Sequence, residues 1–339
     1  MPRVQVRPFE QSDISDAARL LAERHRRDHA RLPMLATSYL EQDGCEAAVA
    51  AHLANRRTSG ALALDDGRMA GFLFGEATHL SPEHFASQYV PPYSVGVPGD
   101  GHAVDPAYDA TAVYRALYGA LAAGWVSEGL FTHRLYITPG DREVEEAWVS
   151  LGFGRAMTAG TRDTGPVMGD TASSPGLEIH AASSEDVEVV LGLARVLAEH
   201  HLQSPIFWPI LPTTRDAVRQ FTQEALADSA NACFVAYLDG NPVAMQQFLV
   251  DGFTPPTVEP KHNIYLYEGV VDPAARSGGI GQALLSHSMR WARENGYERC
   301  TLHWASGNPE GAPFWLKHGF VPVEHTMSRR VDERIAWAR

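Results

Sequence analysis

The residues most able to do chemistry lie in one stretch: Tyr267-Glu268-Gly269-Val270-Val271-Asp272-Pro273-Ala274-Ala275-Arg276-Ser277-Gly278-Gly279-Ile280-Gly281-Gln282. The pattern predicts a strand ending at Val271, a glycine-rich turn, and a helix beginning near Gly281. Successive backbone N–H groups in such a turn, together with a helix N-terminus, form an anion site. Glycines let a phosphate approach the backbone with no Cβ in the way. Arg276 adds a permanent charge and a forked donor suited to phosphate. Two other glycine motifs are excluded. A P-loop needs Lys-Ser/Thr after its last glycine, and Gln282-Ala283 stands there. A dinucleotide fingerprint needs a third glycine where Leu284 stands.

The run Arg276-Ser277-Gly278-Gly279-Ile280-Gly281, after Val-Val-Asp-Pro, resembles the R-x-x-G-x-G/A pyrophosphate loop of the GNAT superfamily of N-acetyltransferases. Downstream, Asn308 and Phe314-Trp315-Leu316-Lys317-His318-Gly319-Phe320 resemble that family's Asn and its helix leading into Gly-Phe. The resemblance implies an acetyl-CoA cosubstrate held by Val270, Val271, Arg276, Ser277, Gly278, Gly279, Ile280, Gly281, Gln282 and Asn308. It also implies that the strand around Val270 and Val271 splays from its neighbour, so that its N–H groups meet the pantetheine arm and the thioester oxygen. The implied reaction is direct attack of a small-molecule amine on the thioester.

Such a reaction needs a base for the amine proton. Glu268 is the first candidate, sharing strand parity with Ile264 and Leu266 and lying near where the family often places a carboxylate; a strand Glu paired with Arg is the plain alternative. His303 is the second, opposite in face to Leu302 and Trp304, with a satisfied structural His as its alternative. The family's usual Tyr, which protonates the leaving thiolate, is replaced by Trp315, whose indole N–H is no useful proton source. Tyr265, Tyr267, Ser306 or water are left for that role, or the thiolate leaves without an acid. Phe207 and Trp208 fall where the family binds its acceptor, with core packing as the competing reading. His25 and His29, spaced i, i+4, lack the Glu of HExxH and a third ligand, so they read as surface residues and no metal is expected.

The elements around this motif occur twice. Residues 4–75 match 177–248 at a shift of 173, and from Val104-Asp105-Pro106 onward the shift is 167. The six-residue difference (173 − 167) falls in the Pro-rich stretch Ser81 to Pro98. The repeat predicts two tandem GNAT-like domains of α/β (α+β mixed sheet) class: a degenerate domain 1–165, a linker 166–176 within the Gly/Ser/Thr/Pro-rich stretch from Thr161, and a catalytic domain 177–339. In the second copy the pattern predicts strand Leu177–His180, a helix within Asp186–His201, a hairpin about Asp239-Gly240-Asn241, strand Ile264–Val271, helix Gln282–Asn295 stopped by Gly296, strand Arg299–Trp304, helix Ala312–His318 and a closing strand from Phe320. In the first copy Asp109-Ala110-Thr111-Ala112-Val113-Tyr114 replaces the phosphate loop. No glycine remains and a carboxylate replaces Arg276, so this copy is expected to bind no CoA and to serve as a partner or as a wall of the acceptor pocket.

Composition bounds the rest. The 339 residues are 45% hydrophobic and 20% charged, which is globular. Cys45, Cys233 and Cys300 are isolated and odd in number, arguing against a disulfide framework or zinc ribbon. A net charge of −13 with no basic run disfavours nucleic acid and anionic membranes, and hints at a cationic acceptor. With no apolar stretch near ~20 residues and no apolar leader core after Met1, the expected location is cytoplasmic. A mycothiol-synthase-like acetyltransferase is one alternative, and a non-catalytic acyl-CoA sensor or scaffold is another of a different class.

Overall fold

In a computed structural model of the chain, residues 4–168, 175–250 and 252–338 are described. Met1–Arg3 and most of the linker's middle lie outside them. The first repeat runs β1 (Gln5–Pro8), α1 (Ile14–Arg31), α2 (Gln42–Ala54), β2 (Thr58–Asp65), β3 (Arg68–His79), β4 (Tyr93–Val97), β5 (His102–Val104), α3 (Ala110–Ser127), β6 (Thr132–Ile137), α4 (Arg142–Ser150) and β7 (Gly154–Asp163). The second runs β8 (Leu177–Ala181), α5 (Val187–His201), α6 (Arg215–Ala227), β9 (Ala232–Leu238), β10 (Asn241–Leu249), β11 (Asn263–Val271), α7 (Ile280–Glu294), β12 (Arg299–Ala305), α8 (Gly311–Lys317) and β13 (Val321–Arg330). Local chemistry explains the matched hairpins. Asp66-Gly67 and Asp239-Gly240 both take positive φ at both turn positions, the geometry that suits the twist of two antiparallel strands.

The two repeats share one mixed sheet, ordered β1-β2-β3-β4-β6-β13-β7-β12-β11-β10-β9-β8, with β5 paired to β3. Here the sheet departs from the division at 165 and 177. The last strand of each repeat has crossed into the other. β7 lies antiparallel to β12 (Arg299 opposite Asp163, Ala305 opposite Met157), and β13 lies antiparallel to β6 (His325 opposite Ile137, Arg330 opposite Thr132). β7 and β13 then pair with each other and close the seam. The cores follow the exchange: Met327 of β13 packs with Leu135 and Trp148 of the first repeat.

The exchange also buries the start of the Gly/Ser/Thr/Pro-rich stretch. Thr161 is buried where β7 is paired on both sides, and Arg162 and Thr164 are buried just beyond it. The Arg162 guanidinium donates to the carbonyls of His318 and Gly165, and Val167 joins the second core. The exposed connection therefore starts well after Thr161.

Each repeat has helices on both faces. α1 and α2 cover Leu62, Phe72 and Phe74 on one face of the first sheet half, and α3 packs on Leu73 and Leu135 on the other. In the second half α5 covers Val235, Met245 and Val270, while α7 covers Phe248, Ile264 and Leu302. His25 is buried on α1 rather than exposed, with its Nε2 2.7 Å from the Ala36 carbonyl, and burial lowers its pKa to about 4. His29 is half-buried. The three cysteines are buried and free.

Candidate active site

β11 is where the second repeat opens. It pairs with β12 only from Asn263 to Leu266, whereas β12 continues to Ala305 against β7. Beyond Leu266 the two parallel strands part, which leaves main-chain groups of β11 without a strand partner on that side. The Asp272 N–H donates to the Val243 carbonyl of β10 at 2.7 Å. Alternation along a strand then turns the polar groups of Val270 toward β10 and those of Gly269 and Val271 into the splay. The expectation for Val271 fits this geometry. Val270 is corrected: its N–H faces β10, and Gly269 takes the place assigned to it. The Trp315 ring closes on Gly269, where an added Cβ would lie 3.2 Å from the indole.

A bulge sets the direction of Glu268. Gln247 pairs with Glu268 and Phe248 with Leu266, so Tyr267 is the extra residue. Parity flips there, and Glu268 leaves the face of Ile264 and Leu266 for the α5 face, which it shares with Val270. The same-parity expectation fails for this reason. Glu268 is half-buried with no ion pair or side-chain hydrogen bond among the described residues, and burial raises its pKa to about 7.

At the end of β11 the chain turns through Arg276 to Gly279. Ser277 and Gly279 have positive φ, alternating with Gly278 to form a concave backbone turn. Gly279 is the N-cap of α7 and offers no side chain to cap it, so the helix N-terminus faces the turn. The Ile280 side chain itself is core. A Cβ on Gly281 would come within 3.3 Å of Val271 and 3.4 Å of Phe314. Arg276 donates from Nε to the Val271 carbonyl at 3.1 Å and pairs with Glu310. The Gln282 amide reaches the Met168 carbonyl at 3.4 Å. Asn308 accepts from the N–H groups of Glu310 and Gly311 at 3.0 and 2.9 Å, capping the entry to α8. These residues fit a pyrophosphate and pantetheine arm.

The same positions in the first repeat are filled. α3 begins at Ala110, which is equivalent to residue 277, so nearly a full extra turn of helix occupies the loop's place. Asp109 caps that helix with its own carboxylate, accepting from Thr111 and Ala112. Tyr114, at the position of Gly281, is fully buried, with its hydroxyl 2.8 Å from His102 Nδ1. Arg24 of α1 donates to the carbonyls of Gly99 and His102. His102 is the repeat equivalent of Gly269, so Arg24 occupies there the side that the second repeat leaves open.

One cleft of about 1650 Å³ joins the splay, the loop and the open sheet face beside α5 and α6. That exceeds the ~300–1,000 Å³ usual for a single small ligand. His303 lines it, with Nδ1 2.9 Å from the Tyr265 hydroxyl, and burial lowers its pKa to about 4, leaving it neutral near pH 7. Ser306 turns to Thr158 instead, at 3.4 Å. Trp208 lines the cleft, but Phe207 is 70% exposed.

The first repeat does form part of the wall. Gln88, Tyr89, Arg134 and Tyr136 line the cleft. Its insertion docks on the second repeat through a Phe85–Phe221 stack at 4.3 Å, a Tyr89–Tyr267 hydroxyl contact and a 2.7 Å bond from Trp208 Nε1 to the Gln88 carbonyl. Pattern reading missed Glu324 of β13, a buried cleft carboxyl whose pKa burial raises to about 8. Its only sequence signal was a Glu in an otherwise apolar run, Val321 to Val323.

Residues 194–320 match the acetyltransferase (GNAT) family. No curated protein matches the sequence. Among solved structures, a GCN5-related N-acetyltransferase from Sphaerobacter thermophilus is 14% identical, with 97% of this chain and 96% of that one aligned at a TM-score of 0.55. A tandem GNAT protein from the clavulanic acid biosynthesis pathway is 14% identical over 96% and 98%, at a TM-score of 0.50. A glucosamine N-acetyltransferase region of a fungal multi-domain GH3 β-N-acetylglucosaminidase is 12% identical over 97% of this chain and 38% of that one, at 0.52. At these identities the likeness is one of fold, and it spans both repeats.

Proposed function

We propose that the protein transfers an acetyl group from acetyl-CoA to the amine of a small molecule, using the second repeat's site alone, a reading that the match of residues 194–320 to the acetyltransferase (GNAT) family supports. One observation carries the reading: the strand splay and the glycine turn into α7 coexist in the second repeat, whereas in the first Arg24 fills the splay and helix fills the turn.

In this reading the turn from Arg276 to Gln282 holds the pyrophosphate, and Gly269 and Val271 orient the pantetheine arm. The acceptor enters over the α5 face. Its neutral nitrogen attacks the thioester carbonyl carbon, forming the C–N bond, and the C–S bond then breaks to release the thiol. Glu268 takes the amine proton, directly or through water. With a pKa near 7 it is half ionised at neutral pH, which suits a general base. An aligned N–H facing the carbonyl oxygen contributes about 2.7–4 kcal/mol in comparable sites. His303, at about 4, is a weaker base. Its bond to Tyr265 fits it better for orienting that hydroxyl, which is the best-placed proton donor for the leaving sulfur where Trp315 has none to give.

The test is release of free thiol from acetyl-CoA across a panel of amines. Amine-dependent release, with the acetylated amine recovered, is the expected result. Acetyl-CoA binding with no release from any amine overturns it in favour of an acyl-CoA sensor.

A further inference from the structure

Glu268 has a counterpart at the other end of the same cleft. Glu324 is 4% exposed, and among the described residues it makes no hydrogen bond and no ion pair. Its carboxyl is not sealed away but opens on the cleft, where a ligand group can reach it. The register fixes where it stands. His303 of β12 and Glu324 of β13 are both opposite Ala159 of β7, so the three share one face of adjacent strands. At ~4.8 Å between strands, Glu324 lies about 10 Å from His303's position and about 14 Å from the strand of Glu268.

Its surroundings leave no cation in contact. Gly99, Thr257 and Tyr136 bound the pocket end: a Cβ on Gly99 would sit 3.1 Å from Glu324 Oε2. Arg24 is nearby, but its two terminal nitrogens are taken by the His102 and Gly99 carbonyls. Asp100, held by His52 and Tyr39, adds like charge. Arg134 is on the same face further along the seam, opposite Ser328, and ends the acidic part of the cleft.

We propose that Glu324 is the second anchor of the acceptor: it receives a protonated nitrogen of an elongated amine whose other nitrogen meets Glu268. This rests on the acetyltransferase reading and narrows it to linear di- or polyamine-type dications. The strand exchange is what makes the subsite possible, since β13 brings Glu324 beneath the first repeat's wall while belonging in sequence to the second. A cation there supplies the partner that burial denies the carboxyl.

The experiment is a calorimetric titration of the full chain with spermidine and with hexylamine, each with and without coenzyme A, for wild type and Glu324→Gln. Wild type is expected to bind spermidine about tenfold or more tightly than hexylamine. Glu324→Gln abolishes that difference, and melts no lower than wild type because a buried carboxyl has been replaced by a neutral isostere. Equal affinity for the two amines in wild type, or a preference unchanged in Glu324→Gln, overturns the proposal. The titration reads binding alone. Spermidine binding through Glu324 without any acetyl transfer would sink the transferase reading and leave the subsite standing. Transfer to amines with no dependence on Glu324 would sink the subsite alone.

Discussion

Glu268 concentrates the residue-scale chemistry, and its pH behaviour follows from burial. Removing the carboxylate from bulk water disfavours its charged form and raises its pKa to about 7. The working base is the ionised form, so kcat/KM is expected to rise with pH through about 7. Glu268→Gln should lose that ascending limb and about 10²–10⁴ of the rate. A variant that keeps the limb would move the role to another group, and His303, neutral above about 4, would not produce a limb near 7. Sequence reasoning named Glu268 for the wrong geometric reason. It assumed unbroken alternation from Ile264, and the bulge at Tyr267 reversed the face. A bulge is chosen by pairing between strands, so β11 read alone cannot display it. Glu324 was invisible for a related reason: only the register across β7 shows that it shares a face with His303.

At the scale of elements, α3 and α7 show how one repeat keeps a ligand turn and the other loses it. Both follow Val-Asp-Pro, yet α3 starts nearly a turn earlier and is capped by Asp109, whereas α7 starts at Ile280 after Gly279, which has no side chain to cap it. The glycine pattern made this contrast legible, along with the hairpins, the α7 span and its stop at Gly296, which takes positive φ. The plug was not legible. Arg24 lies on α1, and nothing local in that helix says that its guanidinium reaches carbonyls 75 and 78 residues away. Arg24→Ala would leave those buried carbonyls unpartnered and remove Asp28's neighbouring charge. The expected cost is about 3–5 kcal/mol in urea unfolding, with no second acetyl-CoA site gained. A neutral effect on stability would show that the plug is dispensable.

For the whole molecule, the exchanged strands make the two repeats one folding unit. β7 and β13 are repeat equivalents of equal length, so the sequence alone favoured the simpler arrangement in which each stays at home. The exchange predicts that residues 1–168 expressed alone cannot form a stable monomer. They would lack β13 at the edge of β6, and β7 would have lost both neighbours. Size-exclusion chromatography and circular dichroism should find aggregate, dimer or unfolded chain; a folded monomer would contradict the exchange. The same continuity lets the first repeat wall the cleft without holding a cofactor, which makes the number of cofactor sites the central claim. Calorimetric titration of the full chain with acetyl-CoA, repeated on Gly281→Asp, tests it most directly. The substitution places a carboxylate at the start of α7, where helices tolerate one, and where it would repel pyrophosphate and crowd Val271 and Phe314. The account predicts one site per chain, lost in the variant. Two sites, or one that survives Gly281→Asp, would contradict it.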